Sequence, residues 1–162
     1  MGTRPDLALP VWAARAQDIA ACFAAGPLET RVLGTAIGKA SALKMCFAAY
    51  SKGTTALLCA ILATAEQSGV REALYDQWTR DDPEFAARAA GRVRRVTARA
   101  WRFAGEMDEI ADTFRDAGMP GDFHTGAALI YRRLAHFIDS PITPALEDVL
   151  AALIPARNDS PM

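Results

Sequence analysis

Side chains that commonly carry chemistry are scarce in this sequence, which has three cysteines and two histidines in 162 residues. Cys22, Cys46 and Cys59 are odd in number, widely spaced and set in alanine-rich segments. That pattern offers no disulfide framework and no zinc spacing, so they read as small core residues in a reducing compartment. An excess of either charge is also lacking: 18 Lys and Arg stand against 19 Asp and Glu, a formal net charge of −1. Nothing global therefore points to nucleic acid or to a membrane surface. No basic stretch followed by an apolar segment opens the sequence, and the most apolar run, Thr54 to Ala65, is too short to span a bilayer. The expected compartment is the cytoplasm. Repeats and low-complexity blocks are absent as well, which leaves a half-hydrophobic chain of a length suited to one globular domain with a sizeable core.

What is present is a long proline-free stretch from Gly34 to Gly53 that continues without a break to Ala65. Small residues crowd its first half and aliphatics fill its second, which predicts one long helix buried against several others. At about 100° per residue, Ser41, Lys44, Ala48, Ser51 and Thr55 share a narrow face that Leu58 and Leu62 continue. Lys44 has two readings on that face. Its stem could pack while its ammonium reaches water or a carboxylate. Alternatively it is partly desolvated and exchanges a proton near neutral pH, as a general acid/base lysine must.

Around this stretch the pattern is mostly helical. Residues 7–13, 14–25 and 30–33 read as an extended segment, a helix and a short strand, a crossover unit for which the remainder supplies no further strands. Ser68-Gly69 closes the long helix, a short amphipathic helix spans Val70 to Trp78, and Asp82-Pro83 opens another. There Arg88, Arg92, Arg95, Arg99 and Arg102 recur at four- and three-residue spacing beside an apolar stripe of Phe85, Ala89, Val93, Val96, Ala100, Phe103 and Met107. The arginine row reads as a solvated face, as a nucleic-acid contact, or as one or two guanidinium forks for a substrate carboxylate or phosphate. Gly91 and Gly105 are the places where the row would break. Glu106 and Glu109 are expected to pair with nearby arginines. A further helix over Phe123 to Phe137, capped by Asp122, puts His124 in its first turn, and a last helix runs from about Ala145 to Ile154. His124 is a candidate proton-active group and His136 a weaker one.

The residues Leu33-Gly34, Ala40-Ser-Ala-Leu-Lys44-Met and Lys52-Gly53, with Trp101 to Ala111, Phe114 and Ala117-Gly-Met-Pro120, resemble the C-terminal domain of the 6-phosphogluconate dehydrogenase and β-hydroxyacid dehydrogenase superfamily, in its NAD-binding phosphogluconate-dehydrogenase-like branch. In that superfamily a glycine turn leads into a long helix bearing the catalytic lysine. The resemblance implies a mainly α, 6-phosphogluconate dehydrogenase C-terminal-domain-like helical bundle, preceded by a β-α-β remnant of a Rossmann domain. It divides the chain into residues 1–33 as the last Rossmann crossover, 34–155 as the helical substrate-binding and dimerisation domain, and 156–162 as a tail. Two departures stand out: Ala48 replaces an asparagine common one turn after the lysine, with Ser51 as a partial stand-in, and Glu106-Met107 replaces a second lysine and its acid.

By resemblance, then, the chain is the substrate-binding and dimer-forming half of an NAD(P)-dependent oxidoreductase acting on a small anionic hydroxy acid. Lys44 would be proton donor and acceptor, with Gly38, Ser41, Ser51, Lys52 and His124 near the substrate. The Gly-x-Gly-x-x-Gly phosphate turn does not occur, so NAD or NADP would bind only in the complete enzyme, through a Rossmann domain in cis or trans, and the chain alone would be inactive and truncated. Two rivals remain: a non-enzymatic helical dimerisation or regulatory module built on the small residues of the long helix, and an anion-binding helical domain using the Arg88 to Arg102 face.

Overall fold

The computed structural model describes residues 9–11, 15–34 and 36–154. Two compact units divide between Phe47 and Ala48. In the first, strands β1 (Leu9–Val11) and β2 (Thr30–Val32) pair in parallel, Leu9 opposite Thr30, with helix α1 (Ala16–Cys22) connecting them. This is the expected crossover unit. Ala16 is buried, and the Thr30 hydroxyl donates to the Ala20 carbonyl at 3.4 Å. The proposed tail of residues 156–162 lies outside the described residues.

Helix α2 (Lys39–Gln67) is the long helix the sequence predicts. By length and composition it could cross a membrane. The apolar run expected to be too short is thus part of a longer helix, but from Ala48 onward that helix packs as a core element. It ends as its residues dictate: Gly69 takes a φ of 68°, which favours glycine, and the Val70 amide donates to the Ala65 carbonyl.

The second unit continues through α3 (Arg71–Asp81), α4 (Phe85–Val96), α5 (Ala100–Asp116), α6 (Asp122–Arg133) and α7 (Leu146–Leu153). Its core follows the predicted stripe: Ala89, Val93, Val96, Ala100 and Met107 are buried, with Ile110, Tyr131, Leu134, Val149 and Leu150 completing it. Alanines at the contact let helices approach closely. Gly121, between α5 and α6, is required by that approach, because a Cβ there would lie 2.6 Å from the Ala111 carbonyl oxygen.

Several expectations change. The arginine row breaks at neither glycine, since Gly91 and Gly105 lie inside α4 and α5. The break is a 3-10 turn over Thr97–Arg99, where the Thr97 hydroxyl donates to the Arg94 carbonyl at 2.7 Å. The predicted helix from Phe123 to Phe137 stops at Arg133 and gives way to a 3-10 segment, Ala135–Asp139. Asp122 is the first helical residue of α6 and makes no cap hydrogen bond; its carboxylate sits at the positive end of the helix. Only Cys59 of the three cysteines is buried, for Cys22 and Cys46 are exposed.

Helix α2 is not covered all round either. Ala48, Ala49, Ala56 and Ala63 face inward, while Leu43, Phe47, Tyr50 and Leu57 are exposed, Phe47 and Tyr50 each to 73%. Those four alanines are therefore spent on the chain's own core, while Ala36, Ser41 and Ala42 are exposed.

Candidate functional site

In the first unit, Gly38 has a φ of 93° in the turn that opens α2, a conformation that favours glycine. Ser41 and Lys44 follow on the helix, and both are exposed. The partial desolvation expected of Lys44 is thus not provided by the described residues of this chain.

Ser51, Lys52 and His124 belong to the second unit, where α2 meets α4, α5 and α6. Thr54 and Thr55 are neighbours in a stretch otherwise aliphatic, and their hydroxyls donate to the Tyr50 and Ser51 carbonyls at 2.7 and 2.8 Å. Their oxygens remain free to accept. Arg92 of α4 reaches them: Nε donates to Thr55 Oγ1, and Nη2 donates to both Thr54 Oγ1 and the Ser51 carbonyl, all at 2.6 Å. Tertiary structure thus brings one member of the arginine row onto the hydroxyl face of α2.

Lys52 points the other way. Its ammonium lies 2.5 Å from Glu106 Oε2 and 5.0 Å from the centre of the Phe103 ring. Arg102 binds the second oxygen of Glu106 at 3.1 Å, which meets the expectation that Glu106 pairs with an arginine; Glu109 forms no ion pair among the described residues. Below this pair, the Tyr131 hydroxyl donates to the Lys52 carbonyl at 2.7 Å. Burial raises the Tyr131 pKa and pushes the Cys59 thiol up to about 12, so both groups under Arg92 and Lys52 are neutral.

His124 is buried rather than facing a cleft. Its ring stands edge-on to Phe114 and Phe123, with centroids 4.3 and 5.3 Å away, and Nδ1 has no hydrogen-bond partner. Burial lowers its pKa, because an apolar cage penalises the charged imidazolium. His136 is exposed, with Nδ1 at 3.1 Å from the Arg133 carbonyl. Phe123 also packs over Gly53, where a Cβ would lie 3.1 Å from its ring. No cluster of metal-ligating side chains occurs among the described residues.

Residues 65–134 match DUF1932, a domain of unknown function. Among curated proteins, no sequence matches the chain. Solved structures that resemble it include two conserved proteins. One is a conserved hypothetical protein from Sinorhizobium meliloti 1021, 26% identical, with a TM-score of 0.72 over 89% of this chain and 50% of that one. The other is a conserved protein of unknown function described as structurally similar to 3-hydroxyacid dehydrogenases, 23% identical, with a TM-score of 0.65 over 93% of this chain and 53% of that one. The chain shares its fold with part of each of these proteins, and the mainly α architecture expected from its motifs holds. The chain spans about half the length of these two proteins.

Of the residues singled out in the sequence, Ser51 contributes its carbonyl to the hydroxyl face, Lys52 is committed to Glu106, and His124 is enclosed by aromatics. Thr54 and Tyr131 were missed. Two adjacent threonines within an aliphatic run were the available signal for the first; nothing local distinguishes the second from an ordinary core tyrosine.

Proposed function

We propose that this chain is the helical, substrate-binding and dimer-forming part of an NAD(P)-dependent oxidoreductase acting on a small hydroxy acid. The observation that carries this reading is the fold likeness over 89% and 93% of the chain to proteins about twice as long, one of them described as similar to 3-hydroxyacid dehydrogenases. Lys44 is the proton donor and acceptor in this reading, and its exposure leaves it accessible to a substrate and to a covering surface.

The cofactor, when bound, would supply hydride transfer. This chain's own residues do not fit it: the sequence has no Gly-x-Gly-x-x-Gly turn, and α1 is preceded by Arg15, where a pyrophosphate-binding helix would want glycine. A Rossmann domain in the same polypeptide or in another subunit would have to provide that site.

Dimer formation is supported by the outward side of α2. Leu43, Phe47, Tyr50 and Leu57, all exposed, follow one another at four-, three- and seven-residue spacing, the repeat by which two helices pack along a seam. A helix apolar on opposite sides is one that is covered on both. The non-enzymatic dimerisation module stays as the second reading on the same observation.

Light scattering of the chain with and without each cofactor, followed by cofactor titration, tests the assignment. A dimer that ignores NAD and NADP, and that Tyr50→Lys with Leu57→Lys converts to a monomer, is expected. Tight binding of either cofactor to this chain would overturn the division of labour.

A further inference from the structure

Arginines of the basic row differ in how their charge is met. Arg88 pairs with Asp82 and Glu84, and Arg102 pairs with Glu106. Arg94, outside the row, donates to the Pro144 carbonyl at 2.7 Å. Arg92 is half-buried and forms no ion pair among the described residues; its three partners, Thr54, Thr55 and the Ser51 carbonyl, are all neutral.

Those hydrogen bonds use Nε and Nη2 and leave Nη1 without a partner among the described residues. Arg92 is itself only half-buried, so this edge of the guanidinium is the one left for a ligand. The floor behind it is neutral, since burial holds the Cys59 thiol and the Tyr131 phenol protonated. Arg95, three residues on and so a neighbour on the same helix face, also has no ion pair among the described residues. Its guanidinium folds back over Gly91, 3.0 Å from where a Cβ would stand, so it lies against the residue next to Arg92.

A guanidinium in water loses rotamer freedom when it captures an anion. Arg92 has already been ordered by three short hydrogen bonds, so that cost falls on folding and not on binding. A helix-to-helix strut alone would account for Nε and Nη2. It does not account for a positive charge left without a counter-ion among the described residues in a partly buried position.

We propose that Arg92, held by Thr54, Thr55 and the Ser51 carbonyl and assisted by Arg95, is the seat of an oxyanion on a small ligand, a carboxylate or a phosphate group. That the anion belongs to a hydroxy acid rests on the functional reading above; that Arg92 seats an anion does not. The open Nη1 edge donates to one oxygen of the ligand, and the Arg95 guanidinium lowers the potential energy of the negative charge there.

The test is a titration of the full chain with inorganic phosphate and, separately, with lactate, followed by amide chemical shifts. Saturable shifts confined to residues 51–55 and 91–95 are expected with at least one of them; the probe that saturates at lower concentration tells phosphate from carboxylate. Arg92→Gln should weaken that binding about tenfold, the worth of one charged hydrogen bond, and Arg92→Lys, which keeps the charge but loses the fork, should weaken it severalfold. Thr54→Val keeps the arginine and loosens its clamp, so it provides a variant that folds if Arg92→Gln does not, and it too should weaken binding. Arg132→Gln, at a guanidinium that pairs with Asp108, should leave binding unchanged; the titration uses no cofactor, so its outcome is separable from that of the oxidoreductase reading. No saturable shift with either anion, or affinity unchanged from the natural chain in both Arg92→Lys and Thr54→Val, would overturn the proposal.

Discussion

The ammonium of Lys52 is 2.5 Å from Glu106, with both side chains mostly enclosed, at 18% and 30% exposure. A lysine in the middle of an apolar helix is tolerable only because α5 supplies this carboxylate from the facing surface, and because Phe103 offers the face of its ring on the other side. The pair ties the predicted long helix to the arginine-bearing stretch, and it removes Lys52 from the set of groups free to meet a substrate.

Breaking that pair from one side should therefore be costly. Lys52→Met leaves Glu106 with Arg102 alone, and Glu106→Gln leaves a half-buried ammonium with only an amide oxygen. Each should lower stability by about 2 kcal/mol, less than the loss expected of a fully buried pair. Urea unfolding of both single variants and of Lys52→Met with Glu106→Leu would check this, the double variant being the least affected of the three because no buried charge is stranded.

Gly121→Ala should destabilise the second unit by about 2 kcal/mol through overpacking. The added methyl would stand 2.6 Å from the Ala111 carbonyl oxygen and 2.9 Å from Arg115 Nε. The arginine can swing aside, but the carbonyl belongs to α5 and can move only with the helix. Thermal unfolding of this variant beside Gly105→Ala, whose new methyl meets nothing within 4 Å, would separate close approach from helix propensity.

Acidification should weaken the fold through His124. Its folded pKa lies below the ordinary value of 6.5 because burial disfavours the imidazolium. Above 6.5 both folded and unfolded chains hold the ring neutral. As the pH falls below 6.5 the unfolded chain takes up a proton that the folded chain refuses, so stability declines until the lowered folded value is reached. Denaturation midpoints at several pH values from 7.5 to 5 should show this slope in the natural chain and a reduced one in His124→Leu.

Thiol labelling should divide the cysteines into two classes. Cys22 and Cys46 are exposed and should react promptly with a maleimide at neutral pH, whereas Cys59 is buried with its thiol pushed up to about 12 and should react only on unfolding. Protection of Cys46 that disappears in the Tyr50→Lys, Leu57→Lys variant would place it under the partner's helix.

Local chemistry made much of the fold legible. A proline-free run of small and aliphatic residues closed by Ser68-Gly69 determines α2 and its end, and the three-and-four spacing from Phe85 to Met107 determines which side of α4 and α5 is buried, because helix periodicity and the glycine cap act within a few residues. Thr97 escaped that reading: its hydroxyl competes for the Arg94 carbonyl, a choice between two local hydrogen bonds of similar strength. Candidate chemistry was legible only as residue types. Lys44, Lys52 and Lys39 look alike on a helical wheel without their neighbours, and only packing separates an exposed Lys44 from a Lys52 bound to Glu106. His124 in its aromatic cage and Arg92 on two threonines likewise depend on helices 37 to 41 residues apart, or on a turn between them, meeting in space. The sequence by itself determined helices and their apolar sides; the tertiary structure decided which charges are neutralised, since a side chain's partner across the core is fixed by how helices pack and not by its own stretch of chain.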